Sequence, residues 1–241
     1  MIHTVPIDIS IGELVRQRPA RSRLFERLGI DYCCGGKKTL AQACAAKNLD
    51  PATIAAVLDA DDASASPADT PIDANALSLS DLANHIEATH HAYLKTDLPR
   101  LSALTQKVAN AHGQRDARLV RLRDIFEAFR QELESHMFKE ERILFPLIRR
   151  LDTATERPPA SHCGSVRSPI AVMEHEHDDA GRALAEMREL TDDFIAPATA
   201  CNTYRALLDA LAHLERDMHQ HVHKENNVLF PRAAEKERQF A

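Results

Sequence analysis

Two stretches of the chain, HMFKEERILFP at 136–146 and HVHKENNVLFP at 221–231, each place a histidine four residues ahead of a glutamate: His136 with Glu140, and His221 with Glu225. On a helix that spacing puts an imidazole and a carboxylate one turn apart on the same face, where both can reach one cation. A single His-x-x-x-Glu pair is a weak signal, since with 13 His in an acid-rich chain the ordinary outcome is a surface contact one turn apart. Recurrence strengthens it. Two further histidines, His91 and His177, are each followed at the seventh, tenth and thirteenth positions by an apolar residue: Leu98, Leu101 and Leu104 after one, Leu184, Met187 and Leu190 after the other. The region is therefore two copies of a helical hairpin, each carrying one lone His and one His-Glu pair.

The apolar stripes decide which way these groups point. In the second helix of the first copy the stripe runs Leu119, Leu122, Phe126, Phe129, Leu133, His136, Glu140, Leu144; in the second copy it runs Leu207, Leu211, Leu214, Met218, His221, Glu225, Leu229. His177 continues Ile170 and Met173, and His91 leads into Leu94 and Leu98. Four imidazoles and two carboxylates thus occupy positions where a bundle normally buries leucine. Buried carboxylates need protons, cationic partners or metal. Metal accounts for all six groups at once: each glutamate can bridge a pair of cations, with two histidines completing each. Imidazole with carboxylate suits iron ahead of manganese or zinc. The competing reading is a buried hydrogen-bonded network without metal.

Other polar residues are expected outside this set. His175, His219 and His223 lie two residues from a ligand candidate, which turns them toward solvent; His90 rivals His91, but the repeat register favours His91. His85, His112, His162 and His213 have no counterpart in the other copy. Glu132 and Glu176 are candidates for acids supporting the centre from outside, or for ordinary surface charges.

The elements that must position these groups are helices. Ala, Leu, Glu and Arg dominate, Trp is absent and aromatics make up 5%, which favours an all-α fold. Four long segments, about 78–113, 116–151, 168–191 and 202–236, read as a four-helix bundle, with Pro99 a potential kink and Ser168 the N-cap of the third. The polar loop 152–167 holds Cys163. ADDASASPADTPIDAN, about 60–75, reads as a linker, giving a small helical domain over 1–59 and the bundle over 76–241. In the small domain helices are expected near 10–17 and 20–28, closed by Gly29, then from the N-cap Thr39 and from Asp50-Pro51.

IDYCCGGKKTL, residues 30–40, concentrates Cys33, Cys34, Gly35 and Gly36 in a chain with five Cys and seven Gly. Adjacent cysteines make a strained disulfide, so two thiols are the expected resting state. The glycines would permit unusual backbone angles or close approach of another surface, while Lys37, Lys38 and the helix start at Thr39 would lower the thiol pKa. A tight turn with incidental cysteines is the alternative. Five unevenly spaced cysteines do not form a secreted disulfide framework. The net charge of −6 argues against nucleic acid; no apolar run spans a bilayer, and no leader is evident at the N-terminus, so a cytoplasmic location is expected.

DYCCGG joined to EHEHDDAG and KENNVLFPR resembles the RIC (repair of iron centres) family, the ScdA/YtfE type, whose bundle is hemerythrin-like. The resemblance covers nearly the whole chain. It implies that His91, His136, His177 and His221 are terminal iron ligands and that Glu140 and Glu225 are bridging carboxylates of a centre of two non-haem Fe ions with an oxo bridge. It also implies repair of iron–sulfur clusters damaged by nitrosative or oxidative stress. The His-rich shell suggests a labile iron supplied to the damaged iron–sulfur proteins, with the Cys33–Cys34 thiol pair as an accessory. Nitric oxide binding or scavenging, or its reduction at the di-iron centre, is the alternative that the resemblance leaves open, as is a homodimer.

Overall fold

The computed structural model describes residues 5–64, 72–156 and 165–240. All regular structure among them is helical; strand geometry is limited to one isolated bridge between Ser10 and Thr39.

Side-chain caps start three of the four α-helices of the N-terminal module. Ser10 accepts the Glu13 amide at the start of α1 (Ile11–Gln17). A 3-10 turn (Pro19–Arg21) leads into α2 (Ser22–Arg27), which ends at Gly29 with φ of 61°, a left-handed angle that suits glycine. Thr39 and Gln42 form a reciprocal capping box before α3 (Leu40–Ala46), and Asp50 accepts the Thr53 amide at 2.9 Å in the first turn of α4 (Pro51–Ser64). Ile11, Leu14, Phe25, Tyr32, Leu40 and Leu58 pack into one core.

The expected linker at 60–75 is corrected at both described ends. α4 runs on to Ser64, and Asn75 is tied back to α1, accepting from Arg16 Nη1 at 2.9 Å and donating to the Arg16 carbonyl at 2.7 Å. Residues 65–71 and Cys163 lie outside the described residues.

In the bundle, three of the four long segments are interrupted by a π-helical turn. The first comprises α5 (Leu79–Ile86), a π turn (Glu87–His91) and α6 (Ala92–His112), with Ser78 as N-cap. The second comprises α7 (Arg118–Lys139), a π turn (Glu140–Leu144) and α8 (Phe145–Thr153). The third, α9 (Arg167–Leu190), is regular. The fourth comprises α10 (Asn202–Lys224), a π turn (Glu225–Leu229) and α11 (Phe230–Arg238). Pro146 and Pro231 explain two of the wide turns: each lacks an N–H and its ring crowds the carbonyl four residues back, so the preceding turn opens. Pro99 sits inside α6 without ending it. Ser168 is not the cap of α9. The helix starts one residue earlier, where Glu237 takes the Val166 amide at 2.8 Å and the Ser165 hydroxyl at 2.5 Å.

Two apolar clusters fill the bundle. One gathers Leu82, Ile86, Phe145, Ile148, Met173 and Phe230, the other Leu98, Phe126, Phe129, Leu133, Leu184 and Leu214. The polar candidates lie on the helices between them.

Candidate metal centre

The six residues singled out in the sequence converge. His91, His136, His177, His221, Glu140 and Glu225 are all buried, with Glu140, Glu225, His91 and His221 at 0% exposure. Their donor atoms form two overlapping groups, His91–Glu140–His221–Glu225 and His136–Glu140–His177–Glu225, each with its atoms within 4.8 Å of one another. Both carboxylates belong to both groups. The Nε2 atoms of His91 and His136 lie 3.3 and 3.4 Å from Glu140 Oε2, and those of His177 and His221 lie 3.1 Å from Glu225 Oε2 and Oε1. His136 and His177 face each other across 3.1 Å between Nε2 atoms.

The donors fit a cation rather than one another. Among the described residues, His91 Nε2, both oxygens of Glu140 and Glu225 Oε2 are buried, face the cluster and have no hydrogen-bond partner. Orphaned polar atoms at this density are costly unless something binds there. Without a cation, protons take its place. Burial disfavours the imidazolium of His136, but the Glu140 charge and the Glu176 hydrogen bond outweigh it and raise its pKa to about 10. His91 is raised too, against burial, by Glu140 and Glu225. Glu225, despite burial, is held well below the usual carboxylate range by His221 and His177.

Outside this ring the Nδ1 atoms are held unequally. His91 Nδ1 meets Glu141 Oε1 at 2.8 Å, and Lys95 neutralises that carboxylate at 2.6 Å. His136 Nδ1 meets Glu176 Oε2 at 2.8 Å, with Lys139 on the other oxygen. The His136 hydrogen bond first, then Lys139, bring Glu176 to about 2 against the opposing effect of burial. His177 Nδ1 meets the neutral Asn226 Oδ1 at 2.8 Å, while His221 Nδ1 has no partner among the described residues and instead stacks on His90 at 5.2 Å. His90 itself bridges Asp217 and Lys224, at 2.8 and 2.7 Å. A carboxylate or amide on Nδ1 fixes the tautomer that presents Nε2 to a metal.

Of the two roles the sequence leaves open for Glu176, its contact with His136 Nδ1 fits the supporting acid; sequence reasoning missed Glu141 and Asn226. Their signal was present: they are the same repeat position, immediately after Glu140 and Glu225. Glu132 touches none of the ligands and lies on the exposed rim of a cavity of about 380 Å³ that opens onto His136, Glu176 and His177. His175 is exposed as expected, but His223 is not: it is buried against the Tyr32 ring, 5.5 Å away, and burial pulls its pKa down to about 4. His219 is half-buried against the same ring at 5.9 Å. Solvent was expected there because the docked N-terminal module was not legible from the helix period.

That docking brings the cysteine pair to the bundle. Cys34 Sγ lies 3.3 Å from the His177 carbonyl oxygen, and the Asn227 amide donates to the Cys33 carbonyl at 3.4 Å. The thiols are reduced, 3.8 Å apart. Two expectations are corrected. Gly35 and Gly36 have ordinary backbone angles; a Cβ on Gly36 would stand 2.7 Å from the Tyr32 carbonyl and 2.9 Å from Asn227 Oδ1, so close approach is what requires glycine. The Cys33 thiol is raised rather than lowered, by its hydrogen bond to Cys34, burial and the Asp31 charge, while Lys37 turns outward to Glu174 at 3.7 Å.

The description of the family model matching residues 82–233 is the hemerythrin HHE cation binding domain. Over 226 residues the chain is 40% identical to the iron-sulfur cluster repair protein YtfE of Edwardsiella ictaluri, covering 94% of this chain and 96% of that one. The chain belongs to the YtfE family. The protein of the same name from Pectobacterium atrosepticum is 38% identical over the same shares, and that from Escherichia coli O157:H7 is 37% identical over 228 residues, 94% and 96% of the two chains. An N-terminal model, described as a domain of unknown function, matches residues 7–62, the module that carries the cysteines. Membership of the hemerythrin family implies non-haem iron, and the buried His and Glu donors are of the type that holds it. No helix among the described residues is long and apolar enough to cross a membrane.

Proposed function

We propose that His91, His136, His177 and His221, with Glu140 and Glu225 bridging, hold two non-haem iron ions joined by an oxo group, and that this protein repairs iron–sulfur clusters damaged by nitrosative or oxidative stress by supplying iron. The observation that carries the reading is the sharing of both carboxylates between two His2Glu2 groups. The cluster-repair function is in the printed names of relatives that align over 94% of the chain.

The chain's own residues suit a site that gives up its cargo. Imidazoles outnumber carboxylates, and two of them, His136 and His91, hold a proton readily beside Glu140 when no cation is there. Departure of iron is thereby offset by proton uptake at Nε2, with Glu176 and Glu141 keeping the rings in place through Nδ1. The cavity over His136, Glu176 and His177 gives iron, or a small neutral ligand such as nitric oxide, a way to one face of the site. The Cys33–Cys34 pair, packed against the bundle beside the His177 carbonyl, is an accessory to the centre. In the test, the iron-loaded protein is mixed with a nitric-oxide-damaged [4Fe–4S] dehydratase in the presence of a chelator that traps free ferrous iron. Reactivation supports donation; no reactivation, while free iron without chelator succeeds, refutes it.

A further inference from the structure

The geometry points to a second cation site, separate from the bundle centre, made by Asp31, Cys33 and Cys34 and selective for a thiophilic divalent cation. The three donors, one carboxylate oxygen and two sulfurs, lie within 4.8 Å of one another. The sulfurs are 3.8 Å apart. Two thiolates on a tetrahedral cation with bonds of about 2.3 Å stand about 3.8 Å apart, so this pair is already at a coordination edge. A disulfide, by contrast, needs sulfurs about 2.0 Å apart.

Asp31 supplies the third donor and is held ready for it. Oδ1 accepts the Cys33 and Cys34 amides, both at 3.0 Å, and Oδ2 accepts the Gly35 amide at 2.9 Å. These bonds cap the turn and need no thiol. The Cys33 thiol adds a further contact to Oδ1 at 3.0 Å. Binding of a cation replaces that S–H and the Cys34 S–H that donates to the His177 carbonyl: both thiols lose their protons, two sulfur–metal bonds form, and the Oδ1 lone pair released by Cys33 turns to the cation. Two protons leave per divalent cation, no electron moves, and the charge of the site is unchanged.

Access and shielding also fit. The site lies on the wall of a cavity of about 1040 Å³ between the N-terminal module and α9, whose other walls include Lys38, Gly181 and His219. Gly181 borders Cys34: a Cβ there would come into ordinary contact with Sγ, at 3.4 Å. None of the three donors is a member of either bundle group, so the site stands whether or not the bundle holds iron.

Cobalt(II) is the probe, added anaerobically to the reduced full-length protein with its bundle pre-loaded with iron, and read by thiolate-to-cobalt charge transfer, tetrahedral d–d bands and proton release into weak buffer. The expected result is one cobalt per chain with both band sets and two protons released. Cys33→Ser and Cys34→Ser, which keep the size and polarity of each side chain, abolish the charge-transfer band, and Asp31→Asn, which retains an oxygen for the turn amides, weakens binding about tenfold or more. A Cys44→Ser/Cys163→Ser/Cys201→Ser variant keeps the band in full. Circular dichroism confirms that each variant is folded. A band that survives in Cys33→Ser or Cys34→Ser, or folded wild-type protein that gives no band, overturns the assignment.

Discussion

Replacing Glu140 by leucine separates a metal centre from a self-sufficient ionic network. Both Glu140 oxygens are buried and without hydrogen-bond partners, and each such atom costs about 1–3 kcal/mol. Leucine has nearly the same volume, extends the stripe from Leu133 to Leu144, and gains about 1.5–3 kcal/mol from burial of its side chain. It also removes repulsion between Glu140 and Glu225, which, after burial, opposes the net lowering of the Glu140 carboxyl by His136 and His91. Against this stand the ion-pair contacts to His91 and His136, at 3.3 and 3.4 Å and outside hydrogen-bond geometry. Both histidines become neutral when the carboxylate goes, so no charge is stranded. Above about pH 10, where His136 has lost the proton that offsets Glu140, the balance favours the metal-free variant over metal-free wild type by about 1–4 kcal/mol, the scale on which apolar groups replace buried ion pairs. Iron reverses the order. Saturation at about a thousand times Kd stabilises wild type by about 4.1 kcal/mol, a gain the variant largely forgoes. Urea unfolding with chelator and with ferrous iron measures both. If chelated Glu140→Leu above that pH is less stable than wild type by the roughly 3–5 kcal/mol typical of a broken buried salt bridge, the cluster satisfies itself and the reasoning fails.

Removing the acid behind His136, as Glu176→Gln, is expected to weaken iron binding about 10–100-fold while leaving the fold intact, read by anaerobic ferrous titration with a competing chelator. The metal-free protein should also lose stability as the pH rises. His136 is raised to about 10 in the folded chain from about 6.5 unfolded. Its stabilisation is therefore complete below about pH 6.5 and disappears as pH rises through about 10, amounting to roughly 5 kcal/mol at most. Unfolding of His136→Gln over that range should be flatter, and an equal slope in both proteins would reject the assignment. At the module junction, Gly36→Ala sets a Cβ 2.7 Å from a backbone oxygen that cannot yield easily, with an expected cost of about 1–3 kcal/mol. Faster reaction of Cys34 with a thiol reagent in that variant would report the loosened dock; an unchanged rate would show that the contact does not hold the module.

Much of the site was legible because it is repeated. The stripe and the 85-residue offset select His136, Glu140, His221 and Glu225 on a helical period, and the copies then single out His91 and His177. The cap at Thr39 and the helix start at Ser78 were likewise visible, since short polar side chains ahead of apolar runs have one common use. What escaped was whatever depends on contacts distant in sequence. The burial of His223 is set by Tyr32, and Ser168 lost its role as cap because Glu237, from the far end of the chain, holds the start of α9. The π turns lay in between: Leu-Phe-Pro after each His-Glu pair marks two of them, while Glu87–His91 has no proline to betray it. The thiols were misjudged because nearby lysines were counted without knowing that Lys37 faces solvent and Asp31 faces the sulfur.

The central claim is that two irons share Glu140 and Glu225. Metal analysis of protein reconstituted anaerobically with ferrous iron, then exposed to oxygen and examined by absorption and Mössbauer spectroscopy, tests it most directly. The predicted result is two irons per chain, oxo-to-iron charge transfer in the near ultraviolet and antiferromagnetically coupled ferric sites, all lost in a Glu140→Leu/Glu225→Leu variant. A colourless protein holding zinc, or a single uncoupled iron, would contradict it.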